Sequence, residues 1–189
     1  MTRTRTLVSA LAVAAAAAAP GLADPDEDNL LINDELEMVS ETAAPAHLDA
    51  FDTIYSGWRF RTDETQALQL DDFENPAMIF VDQALDLFQT VDGTEGKSCA
   101  SCHEGPEEFA GLSTSMPKVI DGKLTTMEDL LNGHRADVMG AEPWKWSGED
   151  MQAMVALIGL QSRGMPVDVA IDGEAAPFWE KGKEIYYTR

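Results

Sequence analysis

The sequence predicts a mainly α-helical domain preceded by an extended N-terminal segment. Apolar residues recur at helical spacing after Ala77, and again from Met151 to Ile158, which indicates two amphipathic helices. Between these helices, the chain's two cysteines stand close together and are followed at once by a histidine. We therefore expect the two helices to pack around the group that this motif holds.

The motif is Cys99-Ala100-Ser101-Cys102-His103, and C-x-x-C-H is the attachment signature of a c-type haem. Each thiol can form a thioether to the porphyrin, and His103 is then held under the iron as its proximal ligand. A structural zinc site needs four ligands, more than this motif supplies. A thioredoxin-like motif needs a βαβ context, which is not predicted here. A disulfide would give His103 no role. One covalent haem c on Cys99 and Cys102 is the favoured interpretation. A helix leading into this motif is typical of class I cytochrome c domains.

The sixth position of the iron has several candidate ligands. His134 is favoured, because the chain has few histidines and this one is expected on a loop before the closing helix, where a distal ligand normally lies. Met139, Met116 and, less plausibly, Met127 are alternatives, as is an open position. The choice matters because methionine opposite histidine raises the reduction potential.

The N-terminus predicts export. Arg3 and Arg5 precede an apolar run from Leu7 to Ala19 and small residues at a cleavage site, so residues 1–23 are interpreted as a secretory signal peptide. The run is too short to span a bilayer, although an uncleaved anchor is the alternative. Because haem attachment to C-x-x-C-H happens outside the cytoplasm, the periplasm is the expected location, with no membrane span in the mature protein.

The composition excludes some partners. The chain carries a formal charge of −21, whereas nucleic acid requires a basic footprint and anionic lipid attracts basic segments. The acidic surface could dock a basic partner such as another cytochrome, but solubility is the favoured interpretation of the charge.

Three regions are expected after the signal peptide. Residues 24–76 form an N-terminal arm, with extended pieces at 30–32 and 36–39, a helix opened by Pro45 and a short helix from Asp63. Residues 77–165 form the cytochrome c domain, in which 124–131 is expected to be helical. Residues 166–189 form a linker and a helix that resembles, in its residue types, the one leading into the haem motif.

Several stretches together resemble one family, and the resemblance runs from about residue 30 to residue 189. They are Ser56-Gly57-Trp58-Arg59-Phe60-Arg61, Gln66-Ala67-Leu68-Gln69, Asp71-Asp72-Phe73-Glu74-Asn75-Pro76-Ala77-Met78, Gly93-Thr94-Glu95-Gly96-Lys97-Ser98-Cys99-Ala100-Ser101-Cys102-His103, Met139-Gly140-Ala141-Glu142-Pro143-Trp144-Lys145 and Ile158-Gly159-Leu160-Gln161-Ser162-Arg163-Gly164-Met165-Pro166. The chain resembles the N-terminal portion of the SoxA family, the dihaem cytochrome subunits of the periplasmic SoxAX complex of sulfur oxidation.

The resemblance implies a function and partners. A SoxA subunit with a SoxX-like monohaem cytochrome joins thiosulfate oxidatively to a cysteine of a SoxYZ-like carrier protein, an L-cysteine S-thiosulfotransferase activity. The electrons pass through the haems to a small acceptor cytochrome.

Two departures from the family limit what carries over to this chain. The family's second haem domain, with its catalytic cysteine, is missing, and 166–189 would be the linker and first helix of that domain. Dihaem members place a cysteine where His134 stands, so the resemblance implies bis-histidine ligation here. The alternative function is a monohaem periplasmic electron-transfer cytochrome with no catalytic role.

Overall fold

Short antiparallel strand pairs accompany a set of α-helices in the computed structural model, which describes residues 30–188. The strands are β1 (Leu30–Ile32), β2 (Leu36–Met38), β3 (Glu41–Ala43), β4 (Thr53–Tyr55), β5 (Lys118–Ile120) and β6 (Lys123–Thr125). The helices are α1 (Asp63–Leu70), α2 (Met78–Gln89), α3 (Met127–His134), α4 (Glu149–Leu160) and α5 (Ala176–Tyr187). The predicted signal peptide, 1–23, lies outside the described residues. None of the helices described is both long and apolar enough for a membrane crossing.

The first hairpin pairs β1 with β2, which confirms the extended pieces expected there. Its turn contains Asn33 and Asp34, both with positive φ (53° and 57°). Asn and Asp tolerate this left-handed conformation better than other residues with a side chain, and two such residues in succession suit a tight hairpin. The turn is also tied to the segment after α1, because the Asn33 side-chain amide donates to Asp72 Oδ2 at 3.0 Å.

The prediction of a helix after Pro45 is wrong. Residues 53–55 form β4, which pairs antiparallel with β3 in the register Glu41↔Tyr55. The apolar spacing of Phe51, Ile54 and Tyr55 suits a helix, but Phe51 is largely exposed. The pairing partner for β4 lies about ten residues earlier in the chain, and a helical pattern in a single window does not reveal it.

The core is formed where α2 and α4 pack against each other. α2 buries Val81, Ala84 and Phe88, which lie on one face, and α4 buries Met154 and Leu157 opposite them. Both amphipathic helices were predicted, and the buried residues confirm them. Full burial of a side chain such as Phe88 or Leu157 is worth about 1.5–3 kcal/mol, so this contact anchors the structure around the haem motif.

α3 begins and ends later than expected. Thr126 caps its N-terminus by accepting a hydrogen bond on Oγ1 from the Asp129 backbone N–H at 3.3 Å, while 123–125 forms strand β6 paired with β5. The expectation of a helix over 124–131 is therefore correct in type but wrong in position. The prediction of a loop around His134 is also wrong. His134 is the last residue of α3, and a π-helical turn, Arg135–Met139, follows directly.

α5 confirms a helix in the last part of the chain. It contacts the N-terminal arm through Trp179, whose ring meets the His47 ring edge-on at 5.7 Å. Its final apolar residues, Ile185, Tyr186 and Tyr187, are exposed. Its assignment as the first helix of a second haem domain stays a prediction.

Candidate haem-binding site

The C-x-x-C-H motif folds into one tight turn. The Cys99 carbonyl accepts the backbone N–H groups of both Cys102 and His103, each at 3.1 Å. Ser98 is buried at the start of the turn, and its N–H donates to Ser101 Oγ at 2.9 Å. The two thiols and the imidazole are thus carried by a single turn, and all three residues border one cavity beside the α2–α4 core.

The His103 imidazole is held through its Nδ1 atom. The Nδ1–H of His103 donates to Glu108 Oε2 at 3.0 Å, because a carboxylate oxygen can only accept from it. The His103 ring also packs on Phe109, with centroids 4.7 Å apart, and Phe109 meets Phe88 of the core edge-on. With its proton on Nδ1, the imidazole keeps the Nε2 lone pair for a metal.

His134 is held in the same tautomer by a different partner. Its Nδ1 lies 3.0 Å from the Leu130 carbonyl oxygen, one turn earlier on α3. A carbonyl can only accept, so the proton again lies on Nδ1 and the Nε2 lone pair is left for a metal. His134 borders the same cavity as His103. The structure therefore brings together all four residues assigned from the sequence.

The remaining ligand candidates differ in position. Met139 and Met127 are buried and line the cavity. Met116 packs instead against the periphery of the α2–α4 core. His47 lies by Trp179 of α5. Geometry therefore leaves His134 and the two methionines beside the motif.

The donor set and the cavity fit a covalently attached haem. The cavity is about 130 Å³ in volume and opens to solvent at its mouth. Its walls are mostly apolar side chains, among them Phe88, Leu112, Leu131, Met154 and Ile158. Two free thiols border the same space. An apolar lining with two thiols and two nitrogen donors is the chemistry that a haem c needs.

The two thiols differ in environment. Cys102 is exposed, whereas Cys99 is half-buried. Burial raises the pKa of the Cys99 thiol, and the charge of Arg135 offsets part of that increase. The Cys99 thiol is therefore kept protonated at neutral pH in the chain without haem.

Arg135 ties the segment after His134 to the segment before the motif. Its guanidinium is buried and donates to Asp92 Oδ2 at 2.6 Å and, from two nitrogens, to the Glu142 carbonyl at 2.9 and 3.1 Å. It also lies 3.9 Å from the ring centroid of Trp144. The bond from Arg135 lowers the pKa of the Asp92 carboxyl. Sequence analysis missed this residue.

Two glycines permit a close backbone contact between the same segments. The Thr94 N–H donates to the Gly140 carbonyl at 3.2 Å, and the Glu95 N–H donates to the Met139 carbonyl at 3.1 Å. Gly93 has φ +75°, and a Cβ there would meet the Met139 carbonyl oxygen and lie 2.7 Å from the Ala141 nitrogen. Gly140, with φ +64°, ends the π-helical turn. A side chain at Gly93 would therefore separate the two segments.

Glu108 was also missed by sequence reasoning. In sequence it belongs to an acidic pair, Glu107 and Glu108, and nothing local distinguishes the two. The structure places only the Glu108 carboxylate against His103. The available signal is the turn at Gly105-Pro106, which sends the chain back towards the motif, but it does not select one of the two acids.

The helical fold, the C-x-x-C-H turn and the apolar cavity bordered by two imidazoles define a c-type cytochrome domain. A model of the SoxA/TsdA cytochrome c domain family matches residues 83–167. This domain type implies a covalently bound haem c.

Curated relatives narrow the class to one family. An L-cysteine S-thiosulfotransferase subunit SoxA from Paracoccus pantotrophus is 53% identical across the whole chain, which covers 67% of that relative. The SoxA subunit of Rhodovulum sulfidophilum is 52% identical over 98% of the chain and 66% of its own length. The crystal structure of SoxXA from P. pantotrophus matches with a TM-score of 0.82 and 55% identity, covering 87% of this chain and 64% of that one. The chain belongs to the SoxA family, and it spans about two thirds of the length of these relatives.

Proposed function

We propose that this chain is the first cytochrome part of a periplasmic SoxA-type subunit, in which a single haem passes electrons during thiosulfate oxidation. In this proposal Cys99 and Cys102 would attach the haem, and His103 and His134 would each offer Nε2 to its iron. The observation that carries the proposal is that all four residues border one apolar cavity and that the Nδ1 atom of each imidazole lies 3.0 Å from an acceptor oxygen.

The chain's own residues bind and orient the haem, which when bound supplies one-electron transfer at its iron. Phe88, Leu112 and Met154 exclude water from the cavity walls. The Leu130 carbonyl and the Glu108 carboxylate keep each imidazole in the tautomer that leaves Nε2 free to ligate.

The partners follow from the family and remain part of the proposal. The solved relative is a SoxXA complex, which supports a SoxX-like monohaem cytochrome as the first partner. The curated relatives are thiosulfotransferase subunits, which supports transfer of thiosulfate to a cysteine of a SoxYZ-like carrier, with a small cytochrome as electron acceptor. Both cysteines of this chain are assigned to the haem, so residues 1–189 supply no thiol of their own for that transfer.

The alternative, a monohaem cytochrome that only relays electrons, is separated from this proposal by binding. The haem-loaded chain is mixed with a SoxX-like cytochrome, and complex formation is measured by gel filtration. We expect a stable one-to-one complex that shows no turnover with carrier protein, thiosulfate and an electron acceptor. Failure to bind would favour the simple relay, whereas appreciable turnover would show that the active site has been assigned wrongly.

The ligand assignment has its own test. His134→Ala should convert a low-spin haem to high-spin, and His47→Ala is the matched control because that histidine lies by α5, away from the cavity. Met139→Leu tests the alternative ligand with little change of volume. The assignment is wrong if the visible spectrum responds to the methionine substitution and not to the loss of the His134 imidazole.

A further inference from the structure

The partner of the proximal histidine is a carboxylate held in place from both of its oxygens. Glu108 Oε2 accepts from His103 Nδ1 at 3.0 Å, and Glu108 Oε1 accepts from the Glu104 backbone N–H at 2.7 Å. The short 3₁₀ turn Pro106–Phe109 carries both Glu108 and the Phe109 ring that packs on His103. The carboxylate therefore meets the imidazole with a fixed orientation, although its side chain is partly exposed.

The two imidazoles that border the cavity are supported unequally. His134 donates to a neutral backbone carbonyl, that of Leu130. His103 donates to an anion. Charge-assisted hydrogen bonds are about twice as strong as neutral ones, and a carboxylate partner makes a ligating histidine a better donor. The hydrogen bond from His103 to Glu108 is therefore the one through which the protein can adjust electron donation to the iron.

We propose that Glu108 is a positioning residue for His103 and holds the haem at a lower reduction potential than a neutral partner would. The inference rests on the proposed haem attachment at Cys99 and Cys102. The carboxylate draws on the Nδ1 proton and increases electron donation from Nε2, which stabilises the oxidised iron more than the reduced iron. Its negative charge favours the more positive oxidation state in the same direction.

The chain offers a matched control. Glu107 is the neighbouring acid, and its side chain folds over Gly105. Glu107→Gln removes the same charge one residue away and leaves the bond to His103 in place. Glu108→Gln keeps the size of the side chain and a neutral acceptor for the Nδ1 proton. Glu108→Asp keeps the charge, with a shorter reach.

The test is potentiometric titration of the haem-loaded full chain and its three variants. At the wild-type midpoint potential, we expect Glu108→Gln to shift the ratio of reduced to oxidised haem about tenfold towards the reduced form, a rise of about 59 mV for one electron. Glu107→Gln should change this ratio by less than about twofold, and Glu108→Asp should restore most of the wild-type value.

The outcomes separate this inference from the proposed function. Intact mass establishes haem attachment first, and a wild-type chain without covalent haem would overturn the proposed function and this inference together. With haem attached, equal shifts in the two glutamine variants would reduce the effect to surface charge and overturn the role of Glu108. An unchanged potential in Glu108→Gln would overturn it as well.

Discussion

Removal of the Arg135 side chain should destabilise the haem-loaded protein by about 3 kcal/mol. The guanidinium makes charged hydrogen bonds to the Glu142 carbonyl, and such bonds contribute about 1.5–3 kcal/mol. Its position over the Trp144 ring adds about 0.5–1 kcal/mol. The bond to Asp92 adds a further contribution, which solvent weakens because that carboxylate is half exposed.

Urea unfolding of the haem-loaded chain measures this loss. With a slope of about 2 kcal/mol per molar urea, Arg135→Ala should lower the midpoint by about 1.5 M. The urea midpoint of Arg135→Lys should lie between those of the wild type and Arg135→Ala, because lysine keeps the charge but cannot form the planar hydrogen-bonding fork of arginine. Arg61→Ala, at an exposed position, is the matched control. The reasoning about Arg135 would be refuted by a loss below about 1 kcal/mol, or by an equal loss in the Arg61 variant.

Three further substitutions test the core, a close backbone contact and an ion pair. Leu157→Ala should lower the free energy of unfolding by about 2–5 kcal/mol in the same assay, and a loss below that range would mean that the α2–α4 contact is not the core. Gly93→Ala should cost more than the about 1–2 kcal/mol expected for positive φ alone, whereas Gly122→Ala, with φ +73° and open space around it, should cost only that. Arg163 lowers the pKa of the Asp72 carboxyl. The Arg163–Asp72 ion pair therefore stabilises the fold fully above the ordinary Asp pKa of about 4, and this contribution is lost as pH falls through the lowered pKa. Asp72→Asn should therefore be less stable than wild type at neutral pH and approach it in acid, and a constant difference in thermal midpoint across pH would contradict this.

Local patterns predicted the elements whose own residues carry the signal, such as a turn between two strands or an apolar stripe along a helix. The turn residues Asn33 and Asp34 lie between two short extended stretches, and the β1–β2 hairpin confirms the strands on either side. The apolar stripes of α2 and α4 are likewise confirmed. The apolar pattern that ends at Tyr55 led to the wrong prediction of a helix, because the strand pairing formed instead joins residues that are not neighbours in sequence.

The residues of the candidate site also fall into those that the sequence could assign and those that it could not. Cys99, Cys102 and His103 form a contiguous motif whose chemistry fixes its own spacing, so the sequence alone assigns it. His134 could be favoured as a distal ligand, but its position at the end of α3 could not be read, because Gly133 in the preceding position suggests a loop and tertiary packing overrides that preference. Arg135 acts across the fold on Asp92, and no local pattern indicates that partner. Glu108 acts on His103 five residues earlier, but nothing in the local sequence distinguishes it from Glu107.

Contacts within the protein fix the segment that carries His134 relative to the segment that leads into the motif of His103. Arg135 directly follows His134 and reaches Asp92, just before the motif turn that carries His103. The backbone bonds from Thr94 to Gly140 and from Glu95 to Met139 join the same two segments. In the proposed haem site, two imidazoles held by the protein in this way would have little freedom to move when the iron changes oxidation state, and such preorganisation would lower the reorganisation that accompanies electron transfer. The Arg135 contacts and the Glu108 bond would have separate effects there. The Arg135 contacts would fix the position of the imidazoles, and the Glu108 bond would set how strongly His103 donates to the iron.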